Sequence, residues 1–420
     1  MERIEADLLI PVEGEPVLDG VVLLDGAVIS FAGPAALAPS GPPEQAITRA
    51  PVVMPGMWDC HGHFLGIKSA EFMAMAITPV ALRAARCVRD LRAALDAGIT
   101  SVREVGGLGV HLARGVDEDT LEGPAIYAAG AVLGATGGHA DVHGLPLPWM
   151  QHFAESGGEL RSCDGVDDCM RATREQLRNN AKVIKVCASG GVLSEVDHPI
   201  HQQLTLPEIR AIVEVAGMAD RVVAAHCHGK AGIMAAIEAG VRTIEHGTYL
   251  DEESCDAMRE TSTILVPTRT VIAELEGVLP EFARVKLEAL AEQHAAAVAL
   301  AHSRGVTIAM GTDICCTGPD TANSWGRNGR ELPLLVEAGM TPAEAIRAAT
   351  VNGPLTLGGQ APRSGVLAAG YDADLIMLDR NPLDNIAVLA DPNQIIGVWR
   401  GGKPLKQMER ATRQHPQSPG

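Results

Sequence analysis

One pattern recurs through the middle of the chain: a short apolar run, a polar or glycine-rich turn, then a stretch with helical spacing. Eight runs fit it: "VVMPGMWDCHGH", "TSVREVGG", "AIYAAGAVLG", "VIKVCASGG", "RVVAAHCHG", "TIEHGT", "TILVPTRT" and "TIAMGTD". One intervening stretch, "TLPEIRAIVEVAGMAD", begins with a predicted capping box of Thr205 and Glu208. Eight strand–helix units favour an α/β fold, a (β/α)8 barrel of the TIM type, over an open doubly wound sheet.

The two ends of the chain follow a different pattern. Near the start, "DLLIPVEGEPVLDGVVLLDGAVISFAG" consists of short β-branched runs separated by Gly, Asp and Pro. Near the end, "GVLAAGYDADLIMLDRNP" and "IIGVWRGGKPL" show a similar pattern of short apolar runs separated by turn residues. Such runs predict a small antiparallel sheet, and we expect both ends to contribute to it.

The composition indicates the kind of core, and the net charge excludes some classes of binding partner. Of the 420 residues, 46% are hydrophobic but only 3% aromatic, which suits a core of small aliphatic side chains in parallel sheets. The net charge of −18 argues against nucleic acid and anionic membranes as partners. No 18-residue apolar run and no signal peptide are visible. Nine scattered cysteines are expected to be reduced thiols of a cytoplasmic protein.

Histidines and an aspartate fall at the carboxyl ends of predicted strands, where a barrel of this type has its active site. His61 and His63 end the first run, His226 the fifth, His246 the sixth and Asp313 the eighth. Residues two apart on extended backbone project from one face, so the first pair can grip one cation. A lone histidine is usually structural, but this set predicts a metal site, since neutral imidazole suits borderline metals such as zinc.

Lys185 in "KVIKVCASGG" needs a separate explanation, because an ammonium has no lone pair and cannot bind a metal. Near cations and away from water its neutral form is favoured. A neutral amine can add carbon dioxide to form a carbamate, whose two oxygens can bridge two ions. In the alternatives, Lys182 has this role instead of Lys185, or the lysine is simply a solvated residue at the edge of the strand. Lys185 is favoured because it lies deeper in the apolar run and closer to the glycine-rich loop.

This set of residues resembles the amidohydrolase superfamily over the whole chain. The loops "GHADVHG" and "VCASGGVLSEVDHPIHQQLT" resemble its imidazolonepropionase-like branch, which includes metal-dependent prolidases, Xaa-Arg-type dipeptidases and ochratoxin-hydrolysing amidases. The resemblance implies a barrel of residues 55–354 and a small β-sandwich built from residues 1–54 and 355–420. It also implies a homo-oligomer, since related enzymes are often higher oligomers.

The resemblance further implies a role for each matching residue. Two divalent ions, expected to be zinc, would share six ligands: His61, His63 and Asp313 on the more buried ion, His226 and His246 on the second, and a carboxylated Lys185 as the bridge. His139 in "GGHAD" matches the histidine that polarises the scissile carbonyl.

Several other residues are candidates for substrate contact. His228, two residues after His226, either faces the cavity or is a hydrogen-bonding neighbour of a ligand. Three basic side chains near strand ends are alternatives for holding a substrate carboxylate: Lys230, Arg269 and Arg103. Three histidines lie in loops over the barrel mouth, where most are simply solvated: His143, His198 and His201.

The predicted reaction is hydrolysis of an amide bond in a dipeptide or N-acyl amino acid. Metals lower the pKa of bound water to about 7, Asp313 would take its proton and pass it to the leaving nitrogen, and His139 would stabilise the oxyanion. The same site could act on cyclic amides, carbamates or ureas, or in a deamination, because fold and metals do not fix the substrate. A non-catalytic metal-binding protein is the alternative of another class.

Overall fold

A computed structural model describes residues 2–41, 47–275, 278–407 and 413–414. Its strands are β1 (Glu2–Leu9), β2 (Val17–Asp25), β3 (Val28–Pro34), β4 (Ile47–Pro55), β5 (Met57–Ile67), β6 (Ile99–Glu104), β7 (Ala125–Ala128), β8 (Val132–Gly134), β9 (Leu160–Ser162), β10 (Val183–Cys187), β11 (Val222–Cys227), β12 (Thr243–His246), β13 (Ile264–Val266), β14 (Ile314–Cys316), β15 (Leu375–Leu378), β16 (Ile395–Arg400), β17 (Lys403–Gln407) and β18 (Arg413–Gln414). Its α-helices are α1 (Met73–Ile77), α2 (Val80–Asp96), α3 (Gly109–Asp117), α4 (Leu147–Glu155), α5 (Val166–Arg178), α6 (Leu206–Gly217), α7 (Lys230–Ala239), α8 (Glu252–Thr261), α9 (Arg269–Leu275), α10 (Glu281–Ser303), α11 (Glu331–Glu337), α12 (Pro342–Ala348) and α13 (Asn352–Leu355).

Strands from both ends of the chain share one sheet, in the order β17-β16-β15-β4-β1-β2-β3, with β18 also paired to β4. The hairpin neighbours β1–β2, β2–β3, β15–β16 and β16–β17 are antiparallel, whereas β1 and β4 are parallel. The two ends meet where β4 pairs with β15, with Val53 opposite Met377. The expected pairing of the ends therefore occurs.

The remaining strands form two parallel sheets, ordered β13-β12-β11-β10-β8-β9 and β14-β5-β6-β7. The eighth predicted run lies between them. On one side Leu265 donates its N–H to Thr307 O and accepts from Ala309 N–H, both at 2.9 Å. On the other side Cys60 donates to Met310 O at 2.8 Å. This run thus hydrogen-bonds to both sheets, while the assigned strand β14 begins just after it.

The third predicted run is divided into two strands that belong to different sheets. β7 pairs with β6, and β8 pairs with β10. Gly130 between them has a φ of +77°, a left-handed conformation that interrupts an extended run. Ala131 then donates its N–H to Gln176 Oε1 at 2.9 Å, and Lys182 N–H reaches Ala128 O at 2.7 Å. The predicted single strand is therefore wrong in detail, because a glycine bends the chain from one sheet to the next.

Helices cover the parallel strands and bury their apolar faces. Ile209 and Ile212 of α6 are fully buried in the main core, together with Ile184 of β10. The predicted capping box starts α6: Thr205 N–H donates to Glu208 Oε2 at 2.7 Å. Among the described residues, no helix combines the length and apolarity that crossing a bilayer requires.

Candidate active site

The first cluster joins His61 and His63 of β5 to Asp313, which directly precedes β14. The two rings lie 5.3 Å apart between centroids, and their Nε2 atoms are 3.6 Å and 3.0 Å from Asp313 Oδ1. Asp313 is brought here by its backbone, because its N–H donates to His61 O at 2.6 Å. The potential ligand atoms of the three side chains lie within 4.8 Å of one another. Two imidazoles and one carboxylate at that spacing suit a divalent cation.

Electrostatics keep this cluster close to the protonation state that metal binding requires. Burial, together with the charge of Lys185, lowers the pKa of His61 to about 4. Burial opposes ionisation of Asp313, but the charge of His61 and the hydrogen bond from His63 outweigh it and lower the pKa to about 2. The same Asp313 raises the pKa of His63 despite its burial. A cation that takes Asp313 as a ligand would therefore compete with protonation of His63.

The second cluster contains three histidines at the ends of neighbouring strands. His226 lies in β11, His228 follows it and His246 ends β12; their potential ligand atoms also lie within 4.8 Å of one another. The ring of His246 is 4.6 Å from that of His226 and 4.9 Å from that of His228. Burial, reinforced by the neighbouring imidazoles, holds the pKa of each well below its usual range. Three neutral imidazoles facing one another form a second candidate cation site.

Hydrogen bonds decide which nitrogens of these rings are free. Nδ1 of His246 lies 2.6 Å from Thr268 Oγ1, and Nδ1 of His228 lies 2.7 Å from Thr248 Oγ1. His226 instead places Nε2 at 3.0 Å from the carbonyl of Gly190, to which only an N–H can donate. His226 therefore offers Nδ1 to a metal, while the other two rings offer Nε2.

Lys185 lies beside the first cluster. Its side chain is 2% exposed and its Nζ is 3.4 Å from His61 Nε2. Burial lowers its pKa, which favours the neutral amine. Lys182, the alternative in the same run, instead donates to Asn180 Oδ1 at the surface, at 3.1 Å. The structure thus places Lys185, and not Lys182, among the candidate ligands.

A fully buried ion pair stands behind His61. Nη2 of Arg103 donates to both oxygens of Glu245 at 2.8 Å, and Glu245 Oε2 lies 2.6 Å from His61 Nδ1. Burial alone would raise the pKa of Glu245, but the charge of Arg103 and the hydrogen bond from His61 hold it well below its usual value. The carboxylate fixes the His61 tautomer so that Nε2 faces Asp313. Arg103 is thereby engaged and unavailable to a substrate carboxylate.

Asp59 fixes the loop that carries Asp313. Its Oδ1 accepts from the backbone N–H groups of His61 and Thr312, both at 3.1 Å, and its Oδ2 accepts from Thr312 Oγ1 at 2.6 Å. The backbone of Asp313 has a φ of +60° and that of His246 a φ of +69°. Such conformations are uncommon outside glycine and persist where neighbouring contacts impose them.

His139 lies in the loop after β8, against the second cluster. Its ring stacks on that of His226 with 4.4 Å between centroids, and its Nδ1 is 2.8 Å from Ser194 Oγ. Burial lowers the pKa of His139 to about 4. His139 thus stands beside the candidate ligands and lines the same cavity as they do.

The clusters open into three adjoining cavities. The innermost, about 80 Å³, is lined by the first cluster, Lys185, His139 and two members of the second cluster, His226 and His246. A second cavity of about 50 Å³ is lined by all three histidines of the second cluster. The outer cavity, about 580 Å³, has Phe72 and Leu193 in its wall, and the innermost cavity has them too. Seven of the fifteen residues that line the second cavity are aliphatic: Val192, Leu193, Val271, Ile272, Leu275, Leu287 and Leu290. The volumes admit a small molecule with an apolar portion.

The structure does not bring every predicted substrate contact to this place. Lys230 lies at the start of α7, where its ammonium donates to Glu253 Oε2 at 2.6 Å and pairs with Asp251, and among the described residues it lines none of the three cavities. Lys230 is thus engaged by two carboxylates at the surface. His143 lines the outer cavity and accepts from Val196 N–H at 3.2 Å. Arg269 contacts the carbonyl of Ala291.

Glu245 and Asp59 were missed from the sequence, and His228 was predicted as a substrate contact or hydrogen-bonding neighbour but not as a member of the second cluster. For His228 a signal existed, since "HCH" repeats the spacing of "HGH" at the first cluster. Glu245 and Asp59 adjoin ligand-bearing positions but match no spacing rule. Their importance comes from partners distant in sequence, such as Arg103, 142 residues before Glu245.

Comparison with known proteins shows that the sequence and the fold are similar to those of enzymes. The sequence profile of the amidohydrolase family matches residues 52–405. Ochratoxinase from Aspergillus niger is 42% identical over 424 residues, covering 96% of this chain and 86% of the relative. The crystal structure of A. niger ochratoxinase gives a TM-score of 0.89 at 41% identity, covering 97% and 95% of the two chains. A prolidase crystallised with N-methylphosphonate-L-proline gives 0.89 at 31% identity, covering 97% and 100%.

Proposed function

The chain belongs to the amidohydrolase family and is a hydrolase of amide bonds, and from that premise we propose that it cleaves a dipeptide or an N-acyl amino acid with the help of two divalent ions. The observation that carries this proposal is the pair of ligand clusters, His61–His63–Asp313 and His226–His228–His246: all of these residues except His228 line one inner cavity together with Lys185, and His228 lines the adjoining one. Ochratoxinase and the prolidase are named for substrates of this chemical class.

The donor atoms fit the proposed ions. Amidohydrolases typically use divalent metals, and imidazole nitrogens with a carboxylate suit zinc. When bound, such ions polarise the scissile carbonyl and make water a better nucleophile at neutral pH. His61, His63 and Asp313 would hold one ion and His226 with His246 the other, and the geometry adds His228 as a candidate for the second.

Lys185 is proposed to be carboxylated. Two divalent ions would face only one carboxylate in the two clusters, that of Asp313, so a second anion at Lys185 would improve the charge balance. The buried position and lowered pKa of Lys185 support the neutral amine that carbon dioxide requires. A carbamate at Lys185 would supply two anionic oxygens to the proposed ions.

Two residues are proposed to act on the reacting groups. Asp313 would accept the proton of the attacking water and return it to the leaving nitrogen, since its carboxylate is ionised and lines the inner cavity. His139 lines that cavity too, and among the described residues its one side-chain hydrogen bond is to Ser194, at Nδ1. It would contact the scissile amide; the family resemblance assigns it the carbonyl oxygen.

Larger-scale features are part of the proposal as well. Hydrogen bonds of residues 307–310 to both parallel sheets support a closed (β/α)8 barrel over residues 55–354. The mixed terminal sheet supports a β-sandwich domain built from residues 1–54 and 355–420. The nine cysteines are all free and buried, which supports a reducing, cytoplasmic location. A homo-oligomer rests on the family resemblance alone.

The test combines metal analysis with a substrate screen. We expect about two equivalents of divalent metal per chain, and release of free amino acid from members of a library of dipeptides and N-acyl amino acids, including prolyl and phenylalanyl compounds. A chelator should abolish the activity and added metal should restore it. Asp313→Asn should be inactive, while Asp167→Asn at the exposed start of α5 serves as the matched control.

Two results would contradict the proposal. Turnover confined to a second panel of cyclic amides, carbamates and ureas would assign a different bond to the same site. Bound metal with no turnover of either panel would support a non-catalytic metal-binding protein instead.

A further inference from the structure

A buried ion pair lies beside the inner cavity. Nη2 of Arg83, in α2, donates to Glu159 Oε1 at 2.6 Å, and Nη1 donates to the carbonyl of Leu65 at 3.3 Å. Each of the two charged side chains is at most 4% exposed. Glu159 directly precedes β9, and its carbonyl accepts the N–H of Val132 in β8 at 2.8 Å. Both the backbone and the side chain of Glu159 are therefore held in place.

One oxygen of this carboxylate has no hydrogen-bond partner. Oε1 of Glu159 is paired with Arg83, but Oε2 is buried and accepts from no donor among the described residues. Most buried polar atoms in proteins are hydrogen-bonded, because an oxygen that leaves water without finding a new donor costs free energy. Glu159 also lines the inner cavity, together with the first ligand cluster and Lys185. A ligand in this cavity can therefore supply the missing donor.

The cavity wall next to the ion pair is apolar. Three neighbours of the pair belong to one buried apolar cluster and line the same cavity: Leu65, Val132 and Leu160. Among the described residues of this lining, the other side chains with a carboxylate or an ammonium are Lys185 and Asp313, which belong to the proposed catalytic centre. Glu159 is thus the charged residue of the cavity that the proposed metal chemistry leaves unused.

Arg83 determines which kind of donor suits Glu159. Its guanidinium neutralises the carboxylate, so a cation would gain little attraction from the pair and would lose its hydration against the apolar wall. A neutral donor avoids that cost and gains a hydrogen bond to an ionised acceptor. A carboxamide would also bring a carbonyl, and Arg83 cannot serve it because, within the described part of the chain, Arg83 lines none of the three cavities. A hydroxyl brings the donor without that burden.

We propose that Glu159 is a specificity-determining residue, which accepts a hydrogen bond from a hydroxyl on an otherwise apolar substrate group. The proposal rests on the proposed amide hydrolysis and narrows its substrates. The inner cavity of about 80 Å³ suits a small side chain such as that of threonine, which differs from valine by a hydroxyl in place of a methyl group. An analogue without the hydroxyl leaves a buried oxygen unpaired and is rejected for that reason.

The first test compares substrates that differ by this hydroxyl. N-acetylthreonine is paired with N-acetylvaline, and threonyl-alanine with valyl-alanine, so that each side of the scissile amide is probed. At one of the two positions we expect kcat/KM to be at least about 10-fold higher for the hydroxyl compound. Equal values in both pairs would overturn the proposal. So would a preference for N-acetyllysine or lysyl-alanine over the threonyl compound, because the ion pair would then act as an anion.

The substitution Glu159→Gln tests whether this residue is responsible. Arg83 keeps the amide oxygen, so the NH2 group takes the place of Oε2 and offers a donor where an acceptor stood. The ratio of kcat/KM between the hydroxyl compound and its partner should fall at least about 10-fold, with metal content unchanged. Glu155→Gln, at the exposed end of α4, is the matched control and should keep the wild-type ratio. An unchanged ratio in Glu159→Gln would contradict the assignment.

A measurement without turnover separates this assignment from the proposed function. Metal-free protein is titrated by calorimetry with the same matched pairs. We expect the Kd to be at least about 10-fold lower for one hydroxyl compound than for its partner, and the difference to disappear in Glu159→Gln. Equal affinities in the wild-type protein would mean that a buried water serves Oε2, which overturns the role of Glu159. If the difference in affinity is found but neither compound is hydrolysed, the proposed function fails with these substrates and the role of Glu159 stands.

Discussion

At the scale of single residues, the candidate ligands could be predicted and their supporting groups could not. His61 and His63 share a spacing that puts both on one face of a strand, and the structure places both rings against Asp313. Glu245 has no such signature, because its role is created by Arg103 from another strand. Lys230 shows the converse: it stands near a strand end in sequence, but two nearby carboxylates hold it at the surface.

The first prediction concerns Lys185. Lys185→Ala should lose metal and activity together, by about 100-fold or more, because the proposed bridging anion disappears. Formate or acetate should restore part of both by supplying carboxylate oxygens. Metal content and turnover are measured side by side.

Two further variants control this experiment. Lys185→Arg should fail because a guanidinium cannot take up carbon dioxide, and Lys182→Ala, in the same run but outside the cavity, should behave as wild type. Full metal content in Lys185→Ala would argue against a bridging role.

The second prediction concerns Gly191. Gly191→Ala places a methyl group where the His139 ring now lies, so the ring must move. We expect kcat to fall about 10-fold or more while both metals remain bound. Gly217→Ala at the end of α6, where an added Cβ meets nothing within 4 Å, is the matched control. A wild-type kcat in Gly191→Ala would show that the ring position does not matter.

At the scale of secondary-structure elements, the hydrophobic pattern predicted where the strands lie, but it did not predict where one run is divided into two strands. The third run reads as one strand, and the left-handed Gly130 divides it between two sheets. Strand β9 is only three residues long, too short to show a periodicity. Short helices depend on similar distant contacts: α9, which lines the cavities with Val271, begins where Glu331 accepts the N–H groups of Arg269 and Thr270 at 2.8 Å and 2.7 Å.

The third prediction follows from that contact. Burial raises the pKa of Glu331 from 4.5 to about 7, so between these values the folded protein holds a proton that the unfolded chain has lost. Stability must therefore fall as pH rises through this window, by up to about 3 kcal/mol from this one group. Glu331→Gln cannot ionise and lacks this loss.

The measurement is the melting temperature of metal-free protein from pH 5 to pH 8. The difference in Tm, Glu331→Gln minus wild type, should rise with pH. Glu337→Gln, exposed on the same helix, should show no such trend. A flat difference for Glu331→Gln would mean that Glu331 is ionised throughout.

At the scale of the whole molecule, both ends of the chain support one sheet that contains none of the candidate ligands. Trp399 of β16 is fully buried there and donates to Glu2 Oε2 of β1 at 3.2 Å. The two ends share a pattern of short apolar runs separated by turn residues, and this made their pairing predictable. The parallel pairing of β1 with β4 could not be predicted. Strands β2 and β3 separate these two strands along the chain, so no local sequence pattern indicates that they pair or in which register.

The fourth prediction separates this sheet from the catalytic part. Trp399→Ala should cost about 3–5 kcal/mol of stability, because it leaves a cavity in the core of the terminal sheet. Metal content and kcat of the folded fraction should stay near wild type, with Trp399→Phe as a milder variant if the alanine protein does not fold. A loss of metal in proportion to the loss of Tm would show that the two parts are coupled.

The two ligand clusters are carried by different sheets. His61 and His63 belong to the four-stranded sheet and Asp313 directly precedes its strand β14, whereas His226 and His246 belong to the six-stranded sheet. If the two proposed ions are bound, a shift of one sheet relative to the other would leave each ligand cluster intact and would change mainly the distance between the clusters. The two sheets are joined by the Arg103–Glu245–His61 contacts, and the proposed carbamate at Lys185 would add a second connection. With both proposed ions bound, the distance between them would report the alignment of the two sheets, and a spectroscopic method sensitive to that distance would measure it.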